Sequence, residues 1–153
     1  MHRSLLLAAA LAVASATPAT AQAPAATATA LSREDSAAIR ATAEDYLLGW
    51  YDGDAERMER ALHPDLAKRN VQTQNGRSRL SNMGAMAMVQ MTRGRAASPQ
   101  PADQRLLEIT LLDGYGSMAV AKVVSWDFVD YISLARSNGR WVIVNDLWDG
   151  RAR

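Results

Sequence analysis

Residues 126–148, WDFVDYISLARSNGRWVIVNDLW, constrain the fold more than any other part of the chain. Asn138-Gly139 stands between two runs rich in β-branched and aromatic residues. This dipeptide is the strongest short hairpin signal, because both residues accept the positive φ of a type I′ turn. Taken as a two-residue turn, it pairs Ser137 with Arg140, Leu134 with Ile143, Ile132 with Asn145 and Asp130 with Leu147. Paired residues share a face. One face then carries Phe128, Asp130, Ile132 and Leu134 with Trp141, Ile143, Asn145 and Leu147. The other carries Val129, Tyr131, Ser133 and Ala135 with Val142, Val144, Asp146 and Trp148. A register slip of one residue would exchange these faces.

The first face is apolar apart from Asp130 and Asn145. Left in water it would be a large exposed apolar patch, so helices are expected to cover it. Covered completely, it would strand a carboxylate, which needs donors or a proton. A cavity resolves the conflict, since a few polar groups on an apolar wall describe a small-molecule site. Asp130 and Asn145 are therefore the expected polar floor, with Phe128 and Ile132 beside them. The tryptophans Trp50, Trp126, Trp141 and Trp148 are candidates to stack on a flat ring, Trp126 from the turn before this strand. The competing role for Asp130 is structural, accepting a backbone N–H or pairing with an arginine. The second face, with Tyr131 and Trp148, is the expected surface of a homodimer.

Helices precede the sheet. Ser32-Arg33-Glu34-Asp35 has the form of a capping box. Ile39, Ala43, Tyr46, Leu47 and Trp50 follow as one helical stripe. Gly53 ends or bends that helix. Asp54 caps a second one bearing Met58, Ala61 and Leu62, and Pro64 stops it. Asn75-Gly76 marks a small edge hairpin between 66 and 80, with Val71 opposite Leu80. Met83, Met86, Ala87, Gln90 and Met91 indicate a third helix. Strands are expected at about 106–112 and 118–124, with a turn at Ser125-Trp126-Asp127. Helices first and an antiparallel sheet last make an α+β layout.

The chain begins MHRSLLLAAALAVASATPATAQA. A basic start, a short apolar run and small residues ending in Ala19-Thr20-Ala21 form the layout of a secretory signal peptide. The apolar run falls short of the ~20 residues that span a bilayer. Cleavage after Ala21 is expected, with residues 22–31 a disordered tether, 32–149 a single domain, and a periplasmic or secreted location. Removing residues 1–21 takes one Arg and no acid, leaving sixteen basic against sixteen acidic residues. A neutral chain offers no electrostatic case for nucleic acid or for an anionic membrane. There is no cysteine, and only His63 would remain of the two histidines. This excludes thiolate chemistry and a histidine-rich zinc site, so no metal and no cofactor is expected.

His63 is a candidate general base near neutral pH. Equally, an imidazolium at a helix C-terminus complements the dipole. Lys68 and Arg69 have opposite parity on a strand and so go to different faces, where one of them can meet an anionic ligand group or both can simply solvate an edge strand. Trp50 and Trp141 read as core. The methionines Met83, Met86, Met88 and Met91 read as packing or as an adaptable cavity wall. No phosphate-binding glycine loop or nucleophile elbow is present.

The order of these elements resembles the nuclear-transport-factor-2-like superfamily. More narrowly, it resembles the bacterial subgroup labelled "putative lumazine-binding". The pieces that carry the resemblance are His63-Pro64 with Lys68-Arg69, Asp130-Tyr131, and Gly139-Arg140-Trp141 leading to Val144-Asn145. It spans roughly residues 32–148. The resemblance implies a cone, in which a curved antiparallel sheet wraps the helices around an open-ended apolar cavity. It also implies a small, pteridine-like ligand. The superfamily includes isomerases, dehydratases, cyclases and modules that only bind or dimerise, so fold does not settle function. Three readings follow. One is an exported binding protein for a small ligand, and another is a cofactor-free proton-transfer enzyme using Asp130 and/or His63. The third is a dimerising module with a solid interior.

Overall fold

The side chain of Ser32 accepts a hydrogen bond from the Asp35 amide at 3.0 Å and starts the first helix, α1 (Arg33–Asp52). In this computed structural model, residues 30–98 and 101–152 are described. The leader at 1–21 and most of the tether at 22–31 lie outside them. Helix α1 stops at Gly53, which has φ +69°, and a Cβ there would lie 2.9 Å from the Arg95 carbonyl oxygen. Asp54 then caps α2 (Ala55–Ala61) by accepting from the Arg57 amide at 3.0 Å.

Strand β1 (Leu62–Gln74) begins directly after α2, so His63 and Pro64 belong to a strand. Asn75 and Gly76, at φ +53° and +73°, turn the chain into β2 (Arg77–Met83), with Val71 opposite Leu80 as expected. Helix α3 (Ala85–Gly94) and a short 3-10 helix (Ala102–Gln104) lead to the far edge of the sheet. From there β3 (Glu108–Tyr115), β4 (Met118–Val124), β5 (Phe128–Ser137) and β6 (Arg140–Gly150) run as an antiparallel meander.

The six strands lie in the order β2-β1-β6-β5-β4-β3. The sheet is mixed rather than wholly antiparallel, because β1 runs parallel to β6. The hairpin and the meander are each locally antiparallel. Where they meet, strand direction depends on how α2 delivers the chain to the sheet, a long-range matter with no local sequence signal. Register breaks interrupt three ladders, between Leu62 and Ala67, between Leu111 and Asp113, and between Ser133 and Leu134. Such bulges bend strands and increase their twist. Pro64, which has no N–H to donate, falls inside the first of them.

The three helices cover one face of the curved sheet. Ile39, Ala43 and Leu47 of α1, Met58 of α2 and Val89 of α3 pack on Ala121, Val123, Ile132, Leu134 and Ile143. This is the α+β layout expected from the order of elements, and the cone that the family resemblance implies.

Candidate functional site

The hairpin turn is as expected. Asn138 and Gly139 have φ +50° and +78°, and Ser137 pairs with Arg140 and Leu134 with Ile143. Beyond Ile143 the register changes. Val144 is an extra residue, so Ser133 pairs with Asn145, Ile132 with Asp146 and Asp130 with Trp148. This overturns the uniform pairing, which joined Ile132 to Asn145 and Asp130 to Leu147. One inserted residue exchanges the faces of everything after it. Asn145 and Leu147 are therefore exposed on the outer face, while Asp146 and Trp148 turn inward. Asn145 is not part of the cavity floor.

A buried cluster of four polar side chains takes its place. Lys68 on β1 is in register with Asp146 on the neighbouring β6. Its ammonium nitrogen lies 2.5 Å from Asp146 Oδ2, 2.8 Å from Asp130 Oδ1 and 2.8 Å from Tyr46 Oη. Tyr46, on the sheet-facing stripe of α1, directs its hydroxyl at Asp130 Oδ1 (3.0 Å) and Asp146 Oδ2 (3.1 Å). Lys68, Asp130 and Asp146 are 5, 2 and 3 % exposed. Two carboxylates thus share one cation in a dry setting. Burial, reinforced by the Asp130 charge, raises Asp146 to about 7, against the lowering pull of Lys68. Burial and the same two carboxylates push the Tyr46 hydroxyl well above its usual range. Asp146 Oδ1 is enclosed and has no hydrogen-bond partner among the described residues. An unpartnered oxygen is costly on a carboxylate and much less so on a neutral carboxyl, which agrees with a held proton.

Above this cluster lies a cavity of about 150 Å³. Asp130, Lys68, Tyr46 and Ser125 contribute its polar groups. Its walls are Leu47, Trp50, Phe128, Trp148 and three methionines, Met83, Met88 and Met91. Phe128 meets Trp148 edge-on at 5.1 Å between ring centroids and Trp50 at 6.3 Å. From outside the lining, Arg95 stacks on the Trp50 ring at 3.8 Å and donates to the Trp50 carbonyl at 2.7 Å.

Of the residues expected at the site, Asp130 and Phe128 line this cavity, as do Trp50 and Trp148 among the tryptophan candidates, and the others do not. Ile132 is fully buried in the core opposite Asp146. Trp126 lies in the β4–β5 turn, its amide donating to Tyr51 Oη at 2.8 Å. His63 accepts the Asp65 amide at Nδ1 (3.1 Å), beside a carboxylate that is 93 % exposed. It directly follows Leu62, the C-cap of α2, as expected of a residue at a helix C-terminus, and it is not in the cavity lining. Tyr46 and Asp146 carried no expectation of a site role, Lys68 was one of a pair of which either could meet a ligand, and Trp148 was placed on the outer face. Lys68 alternates with Leu66 and Asn70, and all three are buried. Parity with Leu66 is a mark that could have placed Lys68 as the inward member of a pair whose facing the sequence left open. For Asp146 and Trp148 the sequence holds no such mark, because Trp141-Val142-Ile143-Val144 is an unbroken apolar run that hides the bulge.

Three helices on one face of a curved six-stranded mixed sheet make a nuclear-transport-factor-2-like fold, and known structures agree. A protein of this fold from Silicibacter pomeroyi, of unknown function, has 23 % identity and TM-score 0.64, covering 77 % of this chain and 97 % of its own. One from Shewanella baltica, also of unknown function, has 19 % identity and TM-score 0.67, covering 78 % and 96 %. A ketosteroid isomerase-like protein from Erwinia carotovora has 14 % identity and TM-score 0.57, covering 79 % and 99 %. At these identities the likeness concerns the fold alone. The chain belongs to the family described as "Putative lumazine-binding", whose model matches residues 34–149. No curated protein matches it.

Proposed function

We propose that this protein binds a small, partly apolar ligand in the cavity above Asp130, and that binding rather than catalysis is its task. The observation that carries the reading is a wall of three aromatic rings and three methionines over a compact polar floor. A solid, fully packed interior would have favoured a purely structural module. The family description names lumazine, a flat pteridine, and the rings of Trp50, Phe128 and Trp148 suit a flat partner. A cavity of about 150 Å³ holds a single ring. A two-ring ligand therefore has to extend through the mouth.

Proton-transfer catalysis is the second reading, favoured by a carboxylate set in an apolar cavity. Such an enzyme also needs a donor for the developing oxyanion. Lys68 already directs its hydrogens at Asp130, Asp146 and Tyr46, and Tyr46 directs its own at the two aspartates. His63 is outside the cavity lining. The geometry therefore favours binding.

Export and dimerisation complete the proposal. The signal-like start supports a periplasmic or secreted protein, and N-terminal sequencing is expected to begin at Gln22. The outer sheet face supports a homodimer, with Tyr131 50 %, Leu147 53 % and Leu80 63 % exposed. Trp148, expected on that surface, faces inward instead. Native mass spectrometry of protein purified from its own host tests ligand binding and dimerisation together. Expected are a retained small molecule and a dimer mass; a bare monomer in every preparation counts against both.

A further inference from the structure

We propose that the cavity selects ligands that present a hydrogen-bond donor to Asp130 Oδ2, above all an amine cation on a one-ring aromatic body, and that it rejects carboxylates and phosphates. The inference rests on the ligand-binding reading above and names the chemistry of its ligand.

It follows from where the hydrogens go. A lysine ammonium has three donors. Lys68 has three acceptors around it, Tyr46 Oη and Asp130 Oδ1 at 2.8 Å each and Asp146 Oδ2 at 2.5 Å. Tyr46 has one hydrogen, with Asp130 Oδ1 and Asp146 Oδ2 both in reach at 3.0 and 3.1 Å. Ser125 Oγ donates to the Phe128 carbonyl at 3.2 Å and accepts the Phe128 amide at 3.1 Å. The floor therefore has no spare donor from these three residues. The indole N–H groups of Trp50 and Trp148 are neutral and cannot offset an anion's charge beside two carboxylates.

The acceptor side is different. Both bonds to Asp130 arrive at Oδ1. Oδ2 accepts none from the described residues, and unlike Asp146 Oδ1 it is not among the enclosed atoms. Asp130 also lines the cavity, although the residue is only 2 % exposed. A deeply buried carboxylate in the lining of an apolar chamber, with one oxygen unpartnered among the described residues, lacks a donor that water supplies poorly and a ligand supplies well. With both aspartates ionised, the cluster carries two negative charges against one positive. Aromatic walls add attraction for a cation.

A matched series of one-ring probes tests this: benzylamine, benzyl alcohol, toluene and benzoate, each titrated into the purified protein by ligand-observed NMR at pH 8. Benzylamine is expected to bind roughly ten- to a hundredfold more tightly than toluene, the range of one charge-assisted hydrogen bond. Benzyl alcohol should fall between them and benzoate should not bind. Toluene or benzoate binding as tightly as benzylamine overturns the donor inference and leaves the cavity reading standing. Failure of all four to bind at millimolar concentration overturns the cavity reading itself. Asp130→Asn is expected to erase the advantage of benzylamine over toluene, and its persistence in a folded variant overturns the assignment to Asp130. The wild-type order decides the proposal even where that variant does not fold.

Discussion

The two ends of the β5–β6 hairpin share a pair of strands but differ in kind. Near the turn, Leu134 and Ile143 pair as the Asn-Gly register dictates, and both are sealed in the core. Past Val144 the pairing is offset by one. The inward positions there hold Asp130, Asp146 and Trp148, joined by Lys68 and Tyr46 from two other elements. The turn end solves the usual problem of covering apolar surface. The open end holds two carboxylates, one cation and a cavity, an arrangement that contributes little net stability for its desolvation cost. Groups kept at such a cost are better explained by what they bind than by what they hold together.

Three substitutions sharpen that contrast, beginning with the largest effect. Lys68→Met leaves two buried carboxylates without their cation. A loss of about 3–5 kcal/mol is expected at pH 8, and a smaller one at pH 5, where Asp146 is neutral. Leu134→Ala at the turn end should cost about 2–5 kcal/mol, equally at both pH values. Urea melts at the two pH values separate an electrostatic from a packing penalty.

The smallest effect is a gain. The folded state raises Asp146 to about 7 from an ordinary value of 3.8, so the native protein holds a proton that the unfolded chain releases. Stability on this group's account is complete below about pH 4, falls as pH rises toward 7 and stays low above it. Asp146→Asn removes the titration. It should stabilise the protein by roughly 1–2 kcal/mol at pH 8, less at pH 5, and not at pH 4. Its stability profile should be flatter than wild type between pH 4 and 7. An identical profile for the variant would mean that Asp146 is ionised throughout this range.

The same contrast separates what was legible in the sequence from what was not. Local chemistry wrote the Ser32 cap, the stripe of α1, both Asn-Gly turns and the strand order of the meander. Each depends on residues within a few positions of one another. The parallel contact of β1 with β6 depends on chain delivery across the whole fold, and no local pattern encodes it. Asp130 was legible because a carboxylate in an apolar alternation is conspicuous. Asp146 was not, because the bulge falls in the run Trp141 to Val144, where every residue is apolar and parity cannot be read. Tyr46 looked like one more apolar stripe residue, since its hydroxyl gains meaning only once Lys68 and both aspartates meet it.

The central claim is that the open end of this hairpin, and not its turn end or its outer face, is where a ligand sits. Backbone amide shift mapping with ¹H–¹⁵N spectra during a benzylamine titration tests it most directly. The expected result is saturable shifts centred on Tyr46, Lys68, Phe128, Asp130 and Trp148, with Leu134 and Ile143 unmoved. Shifts centred on Tyr131 and Leu147 of the outer face, or spread evenly over the protein, would contradict it.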